Sequence, residues 1–437
     1  MKRNTLLTLT VCALLLAMLL PMAACTSSDS QQGAVDPSTE TETEPMADPI
    51  DPESLGKAAV EYVCQDGSLL STYKKKTAED FAGVCSYYVQ NGYLIYSSSE
   101  KAGNLFATYV KDREMAHVYW LKSSGELNII FSEDAGDTLP PSASPEIMEG
   151  DCEVTITQMR DGTNVNGMCY IVQLPDGSFI VYDGSYEKRA KKVMAKIEDL
   201  HKGEGDPLIR AWILTHSHND HYPAFSYFCN KYADDVKVEY VIIAPIDPAL
   251  SKKQASDNYL NDQVHEDIAK LGAKTVYAHT GMEFSFGDFK LEILLAADDL
   301  YKVGNHGDNF NNTSIVSRIY KDDYSALFLA DIGKEGAGWM MDVYGSYLQS
   351  DICQVSHHGV EDVPLEFYEI VQASILYYPC NLWLYDQTER HYEVRKALEE
   401  RSYTKEILIA GIGEYTRAWG TEFAEDAPLS MPDYKKK

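Results

Sequence analysis

Apolar and polar residues alternate in short runs over residues 58–132, and Gly-containing turns separate the runs. This is the pattern of half-buried strands joined by hairpins. A proline-containing stretch that ends near Pro145 follows, and it has neither the strand nor the helix periodicity of apolar residues, as expected of a connection between domains. The pattern predicts a small β-rich domain over residues 57–140. Its clearest strands are expected at residues 93–96, 115–121 and 127–131.

After Gly150 the pattern changes to apolar strand-like runs interleaved with helical stretches. Residues 284–295 have the pattern of a hairpin that turns at Gly287-Asp288. The order of elements predicts an α/β domain with antiparallel hairpins over residues 150–425, instead of a strict parallel series. Strands are expected near residues 154–159, 169–174, 179–182, 208–214, 236–244, 275–278, 314–319, 326–329, 352–355, 375–378 and 407–409, and helices near 186–201, 224–232, 334–348 and 393–401.

The N-terminus, residues 1–25, has the features of an export signal. Two basic residues precede an apolar run from Leu6 to Leu20, and small residues follow up to Cys25. The ending resembles the bacterial lipobox, which implies a lipid on Cys25. A plain transmembrane anchor is the alternative, but the run is shorter than the ~20 residues that span a bilayer. Residues 26–56, acidic and rich in Ser, Thr and Pro, are expected to form a disordered tether. The expected location is therefore extracytoplasmic, lipid-anchored to the cell membrane.

Composition disfavours two kinds of chemistry. The formal net charge is −29, from 67 acidic and 38 basic residues, whereas a protein that tracks a long nucleic acid needs basic patches. Solubility is the other explanation of the charge. Apart from Cys12 and Cys25, the cysteines form no CxxC pair, so buried thiols are favoured over metal ligation or disulfides. These cysteines are Cys64, Cys85, Cys152, Cys169, Cys229, Cys353 and Cys380.

Three imidazoles and a carboxylate follow one apolar strand within six residues, His216 to His221. Residues i and i+2 of an extended segment share a face, so His216 and His218 can reach one metal ion. If a helix starts nearby, Asp220 and His221 turn towards a second ion, with Asp220 on the side that activates water. Nitrogen and carboxylate ligands suit zinc, and iron or manganese could also bind. The segment predicts a two-metal site.

This HxHxDH segment resembles the signature of the metallo-β-lactamase superfamily. The resemblance covers roughly residues 150–423 and implies an αββα sandwich, two facing β-sheets between helices, for the domain of residues 150–425, preceded here by the β-rich domain. It implies a supporting contact for Asp183, a bridge between both ions for Asp331, and a ligand to the second ion in His357. His358 is then expected to contact substrate or to donate a proton.

The run Asn311-Asn312-Thr313-Ser314 followed by the Asp331 and His357 motifs is similar to the extracytoplasmic domain of competence DNA-uptake proteins and to surface phosphorylcholine esterases. The superfamily usually has a third histidine before the bridging aspartate, and here Asn311 and Asn312 take its place. Either asparagine could supply an oxygen or orient substrate, and His306 is a ligand or a loop residue. His391 resembles a histidine near the last helix that meets a transition-state oxyanion.

The resemblance implies an exported hydrolase that attacks a phosphodiester with a metal-bound hydroxide, using zinc, with two ions expected. The acidic charge favours small or envelope-linked substrates over long nucleic acids. A phosphorylcholine esterase acting on teichoic acid is one alternative. Hydrolysis of β-lactams is suggested by the superfamily name alone. The alternative from another class is a non-catalytic envelope-binding lipoprotein, whose contact surface would be the Tyr-rich N-terminal domain.

Overall fold

The computed structural model describes residues 47–140, 148–160, 165–245, 259–301, 310–360, 363–387 and 392–433. The predicted signal, the lipidation site Cys25 and most of the tether lie outside these residues, as do His306 and His391. Within the described ranges, no helix combines the length and apolar character that a membrane crossing requires. The described residues form three β-sheets.

The first sheet is the β-rich N-terminal region, and all its strand pairs are antiparallel. The strand order is β1-β2-β6-β5-β4-β3. Helix α1 (Ala78–Gln90), which the sequence analysis did not predict, packs on this sheet through Phe81, Val84 and Tyr88. It begins at a capping box in which Thr77 and Asp80 satisfy each other's backbone amides. The strands are β1 (Val60–Val63), β2 (Leu69–Tyr73), β3 (Leu94–Lys101), β4 (Asn104–Lys111), β5 (Glu114–Leu121) and β6 (Glu126–Ser132).

The second sheet has the order β12-β11-β10-β9-β8-β7-β20 and the third has the order β13-β14-β15-β16-β17-β18-β19. Strands β9 to β12 are mutually parallel, as are β16 to β19. The second sheet consists of β7 (Thr155–Gln158), β8 (Cys169–Gln173), β9 (Phe179–Asp183), β10 (Leu208–Leu214), β11 (Lys237–Ile243), β12 (Lys274–Tyr277) and β20 (Tyr415–Ala418). The third consists of β13 (Glu283–Phe286), β14 (Phe289–Leu295), β15 (Val316–Lys321), β16 (Tyr324–Phe328), β17 (Ile352–Gln354), β18 (Ile375–Tyr378) and β19 (Glu406–Ile409).

Helices cover the outer faces of the second and third sheets. The inner faces meet in one buried cluster that includes Tyr182 of β9 and Phe328 of β16, whose rings stack 4.0 Å apart. The predicted αββα sandwich and the β-rich N-terminal region are therefore confirmed. The helices are α2 (Ala190–Leu200), α3 (Pro223–Lys231), α4 (Tyr259–Asp262), α5 (Val264–Leu271), α6 (Ala297–Tyr301), α7 (Lys334–Tyr344), α8 (Leu365–Val371), α9 (Leu382–Tyr385) and α10 (Tyr392–Glu400).

The seven cysteines of the described residues are free thiols, and all but Cys152 are buried. This agrees with the expectation that their apolar surroundings matter more than disulfide formation.

The N-terminal sheet is joined to the sandwich through buried polar contacts. His117 Nε2 lies 2.9 Å from the carbonyl oxygen of Thr280, and the Tyr119 hydroxyl donates to Asp299 Oδ1 at 2.9 Å. Gly281 has φ +91°, and a Cβ there would lie 1.9 Å from the Phe106 ring. Only glycine leaves room for the Phe106 ring against the backbone at this position.

We expect Gly281→Ala to lower the free energy of unfolding by about 2–5 kcal/mol. Alanine is strained in a left-handed backbone conformation, and its methyl group would also clash with the Phe106 ring. Gly272→Ala is the matched control: Gly272 also has positive φ (+63°), but no atom lies within 4 Å of its would-be Cβ. The control should lose only the backbone term, about 1–2 kcal/mol. Chemical denaturation of both variants measures the difference. Equal losses of unfolding free energy would mean that the Phe106 ring moves aside and that the clash does not destabilise the protein.

Candidate metal centre

The candidate metal centre lies where strands of the two sandwich sheets end. Asp183 ends β9, and the segment 215–222 follows β10. On the facing sheet, Asp331 follows β16 and His358 follows β17. The carboxyl ends of parallel strands meet at one edge of a sheet and are a common place for ligands. Side chains from both edges approach each other here, so one site receives residues from both sheets.

The ligand atoms form two neighbouring groups, each with all its atoms within 4.8 Å of one another. Asp331 belongs to both groups, which is the position that a bridge between two ions requires. One group consists of His216, His218 and Asp331, and the other of Asp220, His221, Asp331 and His358.

Asp331 is the central residue of the site. Its Oδ2 lies 3.2 Å from His221 Nε2, 3.4 Å from His358 Nε2 and 3.8 Å from His216 Nε2. Its other oxygen, Oδ1, is buried and accepts no hydrogen bond from any described residue. A buried carboxylate oxygen without a partner is costly, and a divalent cation would supply the partner. The donor set of imidazoles and carboxylates suits zinc, iron or manganese, so these residues fit the predicted metal.

Asp183 supports the ligands from behind. Its Oδ1 accepts a hydrogen bond from the backbone amide of Thr215 at 2.8 Å, and its Oδ2 accepts one from Thr215 Oγ1 at 2.8 Å. The same Oδ2 lies 2.7 Å from His221 Nδ1. A carboxylate behind a histidine fixes the tautomer and ring orientation of a metal ligand. The structure thus gives Asp183 the supporting contact that the resemblance implied.

The turn before Asp331 is held in an unusual backbone conformation. Ala330 has φ +48°, in the left-handed region that favours glycine. The buried Gln354 side chain stabilises the turn: its Oε1 accepts from the amides of Leu329 (2.9 Å) and Ala330 (2.6 Å), and its Nε2 donates to the Ala330 carbonyl at 3.0 Å. Sequence reasoning missed this role, although a glutamine in an apolar strand was a signal for it.

The prediction for the two adjacent histidines needs correction. His357 was expected to bind the metal and His358 to act beside it, whereas His358 is the one in the ligand group. Both have positive φ (+48° and +56°), so the chain reverses sharply and the two rings point to different places. His358 Nε2 lies 3.1 Å from Asp220 Oδ2, and the Pro379 carbonyl lies 2.7 Å from its Nδ1. His357 lies outside both ligand groups, and the Asn311 amide donates to its Nε2 at 3.3 Å.

The two asparagines have different surroundings. Asn311 donates to His357 Nε2, and its role as a metal or substrate contact stays a prediction. Asn312 is fully buried, accepts from the Gly333 amide at 2.9 Å and donates to Glu335 at 3.0 Å. Its amide is committed to the start of α7, which corrects the expectation that it could bind metal or substrate.

Charges within the cluster shift its pKa values. Burial acts to lower the pKa of His358, but the carboxylates of Asp331 and Asp220 outweigh burial and raise it to about 10. Burial acts to raise the pKa of Asp331, but His221 and His358 hold it well below its usual range. Burial lowers the pKa of His216, and the neighbouring His221 lowers it further. The ionised carboxylates therefore require positive charge beside them, and a bound cation would supply it while displacing imidazole protons.

His358→Ala is expected to lose one bound metal equivalent, whereas His357→Ala should keep the wild-type content, because only His358 lies in a ligand group. Loss of a direct ligand should weaken metal affinity at least as much as loss of an orienting partner, ~10–100-fold. Metal content after gel filtration, with a titration against a chelator of known affinity, measures both effects. The assignment fails if His357→Ala loses metal and His358→Ala retains it.

Residues 162–371 match the family model described as the metallo-β-lactamase superfamily. The match covers a little under half of the chain, and together with the observed sandwich it shows the metallo-β-lactamase fold, whose superfamily consists generally of metal-dependent hydrolases. No curated protein matches the chain significantly.

Solved structures show distant similarity. The metallo-β-lactamase fold protein YhfI from Bacillus subtilis is 10% identical with a TM-score of 0.38, over 60% of this chain and 99% of that protein. CmlA, a diiron β-hydroxylase from Streptomyces venezuelae, is 17% identical with a TM-score of 0.33, over 59% of this chain and 44% of CmlA. Zinc-bound PqqB from Methylobacterium extorquens is 11% identical with a TM-score of 0.28, over 46% of this chain and 70% of PqqB. None of these similarities bears on the substrate.

Proposed function

We propose that this protein is an exported, lipid-anchored phosphodiesterase that uses two divalent metal ions, with zinc as the favoured metal. The observation that carries the proposal is the pair of ligand groups that share Asp331. Two metal ions bound there would lower the pKa of water to about 7 and stabilise both the attacking and the leaving oxygen of a displacement at phosphorus.

The protein's own residues hold this arrangement in place. Asp183 orients His221, and the Pro379 carbonyl orients His358, so both imidazoles keep fixed directions. Asp331 and Asp220 supply the negative charge that holds cations close together. We assign His357 and Asn311 to substrate contact, because they pair with each other and His357 belongs to neither ligand group.

The substrate class rests on charge and location. A phosphodiester approaching a chain of net charge −29 is repelled at long range, so a small or zwitterionic ester is favoured over a polyanion. The N-terminal signal and Cys25 support a location on the outer side of the membrane. Envelope-linked esters, such as the phosphocholine groups of teichoic acid, and small extracellular phosphodiesters satisfy both conditions. Similarity of the site motifs to competence proteins and phosphorylcholine esterases supports the same class.

The experiment compares metal content and turnover of bis-p-nitrophenyl phosphate, p-nitrophenyl phosphorylcholine and a chromogenic cephalosporin. Asp220→Ala removes a carboxylate from one ligand group only and should lower turnover by ~100-fold or more with loss of about one metal equivalent. Asp176→Asn is the control, because Asp176 pairs with Arg210 on the surface at 2.7 Å, away from the centre. The preferred ester distinguishes the general phosphodiesterase from the phosphorylcholine esterase, and turnover of the cephalosporin alone would contradict both.

A groove on the N-terminal sheet favours a second candidate function, binding of an envelope ligand. Its volume is about 460 Å³, and its walls contain Tyr73, Tyr87, Tyr88, Tyr93 and Phe131. Aromatic side chains of this kind supply contact area at recognition surfaces. If the wild-type protein contains no metal and turns over none of the esters, the envelope-binding lipoprotein becomes the better account.

A further inference from the structure

A second cluster of potential metal ligands lies between the N-terminal sheet and the sandwich. Cys64 follows β1 directly, His279 follows β12, and Asp298 lies in α6. One ligand atom from each of the three lies within 4.8 Å of the others. The three residues are 4%, 2% and 8% exposed, so the cluster is closed off from bulk solvent. Segments far apart in the sequence therefore bring a thiol, an imidazole and a carboxylate to one point.

The hydrogen bonds around His279 are those of a supported metal ligand. Its Nδ1 lies 2.9 Å from Asp298 Oδ2, and its Nε2 lies 3.2 Å from Asp66 Oδ2. Asp66 is held in turn by Ser68, whose amide and hydroxyl donate to its Oδ1 at 2.9 and 2.6 Å. Histidines that bind metals usually present their second ring nitrogen to a carboxylate or carbonyl in this way.

The first metal centre shows the same arrangement. There Asp183 lies behind His221, and Thr215 holds Asp183 with its amide and hydroxyl. Asp66 and Ser68 thus relate to His279 as Asp183 and Thr215 relate to His221. A histidine held by one carboxylate and facing a thiol and a second carboxylate on its other side is arranged to bind a cation.

The ligand types select the metal. Zinc accepts thiolate, imidazole and carboxylate together, at ~2.3 Å to sulfur and ~2.0–2.2 Å to nitrogen and oxygen. Calcium and magnesium take oxygen ligands and leave thiolates unused. Zinc that has three protein ligands takes a water molecule as the fourth. We propose that Cys64, His279 and Asp298 bind a zinc ion that fastens the N-terminal sheet to the sandwich.

The competing arrangement needs no metal. A protonated His279 between Asp66 and Asp298 would also hold the two parts together, and Cys64 would then remain a thiol that is hydrogen-bonded to Asp298. The two arrangements therefore differ in whether the sulfur binds a cation. A measurement that reports a metal–thiolate bond separates them directly.

The experiment is cobalt substitution of the full-length protein with near-ultraviolet absorption spectroscopy. A thiolate-to-cobalt charge-transfer band is expected for the wild type, lost in Cys64→Ser and retained in Cys85→Ser, which alters another buried cysteine of the N-terminal region. The band should persist in Asp331→Ala, because no cysteine belongs to the ligand groups of the first centre among the described residues. Zinc content of the wild type should exceed that of Cys64→Ser by one equivalent.

The wild-type spectrum alone tests the proposal even if Cys64→Ser does not fold, and Asp298→Asn is a second variant that should weaken or shift the band. A cobalt-loaded wild type without the band overturns the proposal, as does a band that persists in folded Cys64→Ser. Failure of the phosphodiesterase proposal would instead appear as absent ester turnover with this band intact, so the two failures are distinguishable.

Discussion

Asp331→Asn is expected to reduce phosphodiester turnover by at least ~1,000-fold, equivalent to ~4 kcal/mol of transition-state stabilisation. The substitution keeps the shape of the side chain but removes the charge that both ligand groups share. Neutral asparagine cannot offset two neighbouring cations, so the variant should bind less than half of the metal that the wild type binds at this centre. Steady-state kinetics with bis-p-nitrophenyl phosphate and metal analysis of the same preparation measure both effects.

The comparison with Asp220→Ala makes this test specific. Asp220 belongs to one ligand group, so its loss should leave the ion of the His216 and His218 side in place. Asp331→Asn should therefore lose more metal and more turnover than Asp220→Ala. Circular dichroism is the check on folding, because Asp331 is buried. A folded Asp331→Asn protein with wild-type metal content and turnover would show that the shared carboxylate is not the centre of the site.

Local features of the sequence predicted the fold and one cluster of candidate ligands. The hairpin at Gly287-Asp288 appears as β13 and β14, because alternation and a turn signal are both local. The cluster from His216 to His221 could also be found, since its residues follow one strand. By contrast, β20 and its pairing with β7 were missed, because the partners lie far apart in the sequence. Periodicity reports which side of a strand is buried and not which strand lies beside it.

The rest of the site depends on backbone geometry that periodicity does not encode. Which of His357 and His358 faces Asp331 is decided by two consecutive residues with positive φ. The role of Asn312 depends on the Gly333 amide, a contact that exists only after α7 is in place. The grouping of Cys64 with His279 required the docking of the N-terminal sheet onto the sandwich. A thiol judged from its own sequence neighbours therefore looked like an ordinary buried cysteine.

Glu292→Gln should cause the largest loss of stability, about 3–5 kcal/mol, without touching either metal cluster. Glu292 is completely buried, and Arg318 Nε donates to its Oε1 at 2.6 Å. Its Oε2 lies 3.5 Å from Lys101 Nζ, which comes from the N-terminal sheet, and accepts from the Tyr347 hydroxyl at 2.9 Å. The substitution removes one buried negative charge and leaves Lys101 and Arg318 with too few carboxylates. Urea denaturation at neutral pH measures the change.

Glu126→Gln is the matched control for this substitution. Glu126 lies 3.9 Å from Lys74, whose side chain is 60% exposed, so solvent already screens both charges. The same chemical change should therefore cost below ~1 kcal/mol there. The contrast tests burial and not charge alone, since both variants replace one glutamate of an ion pair by its amide. Equal losses of unfolding free energy in the two variants would mean that apolar packing stabilises the contact between Lys101 and the sandwich. The buried charges would then contribute nothing to stability.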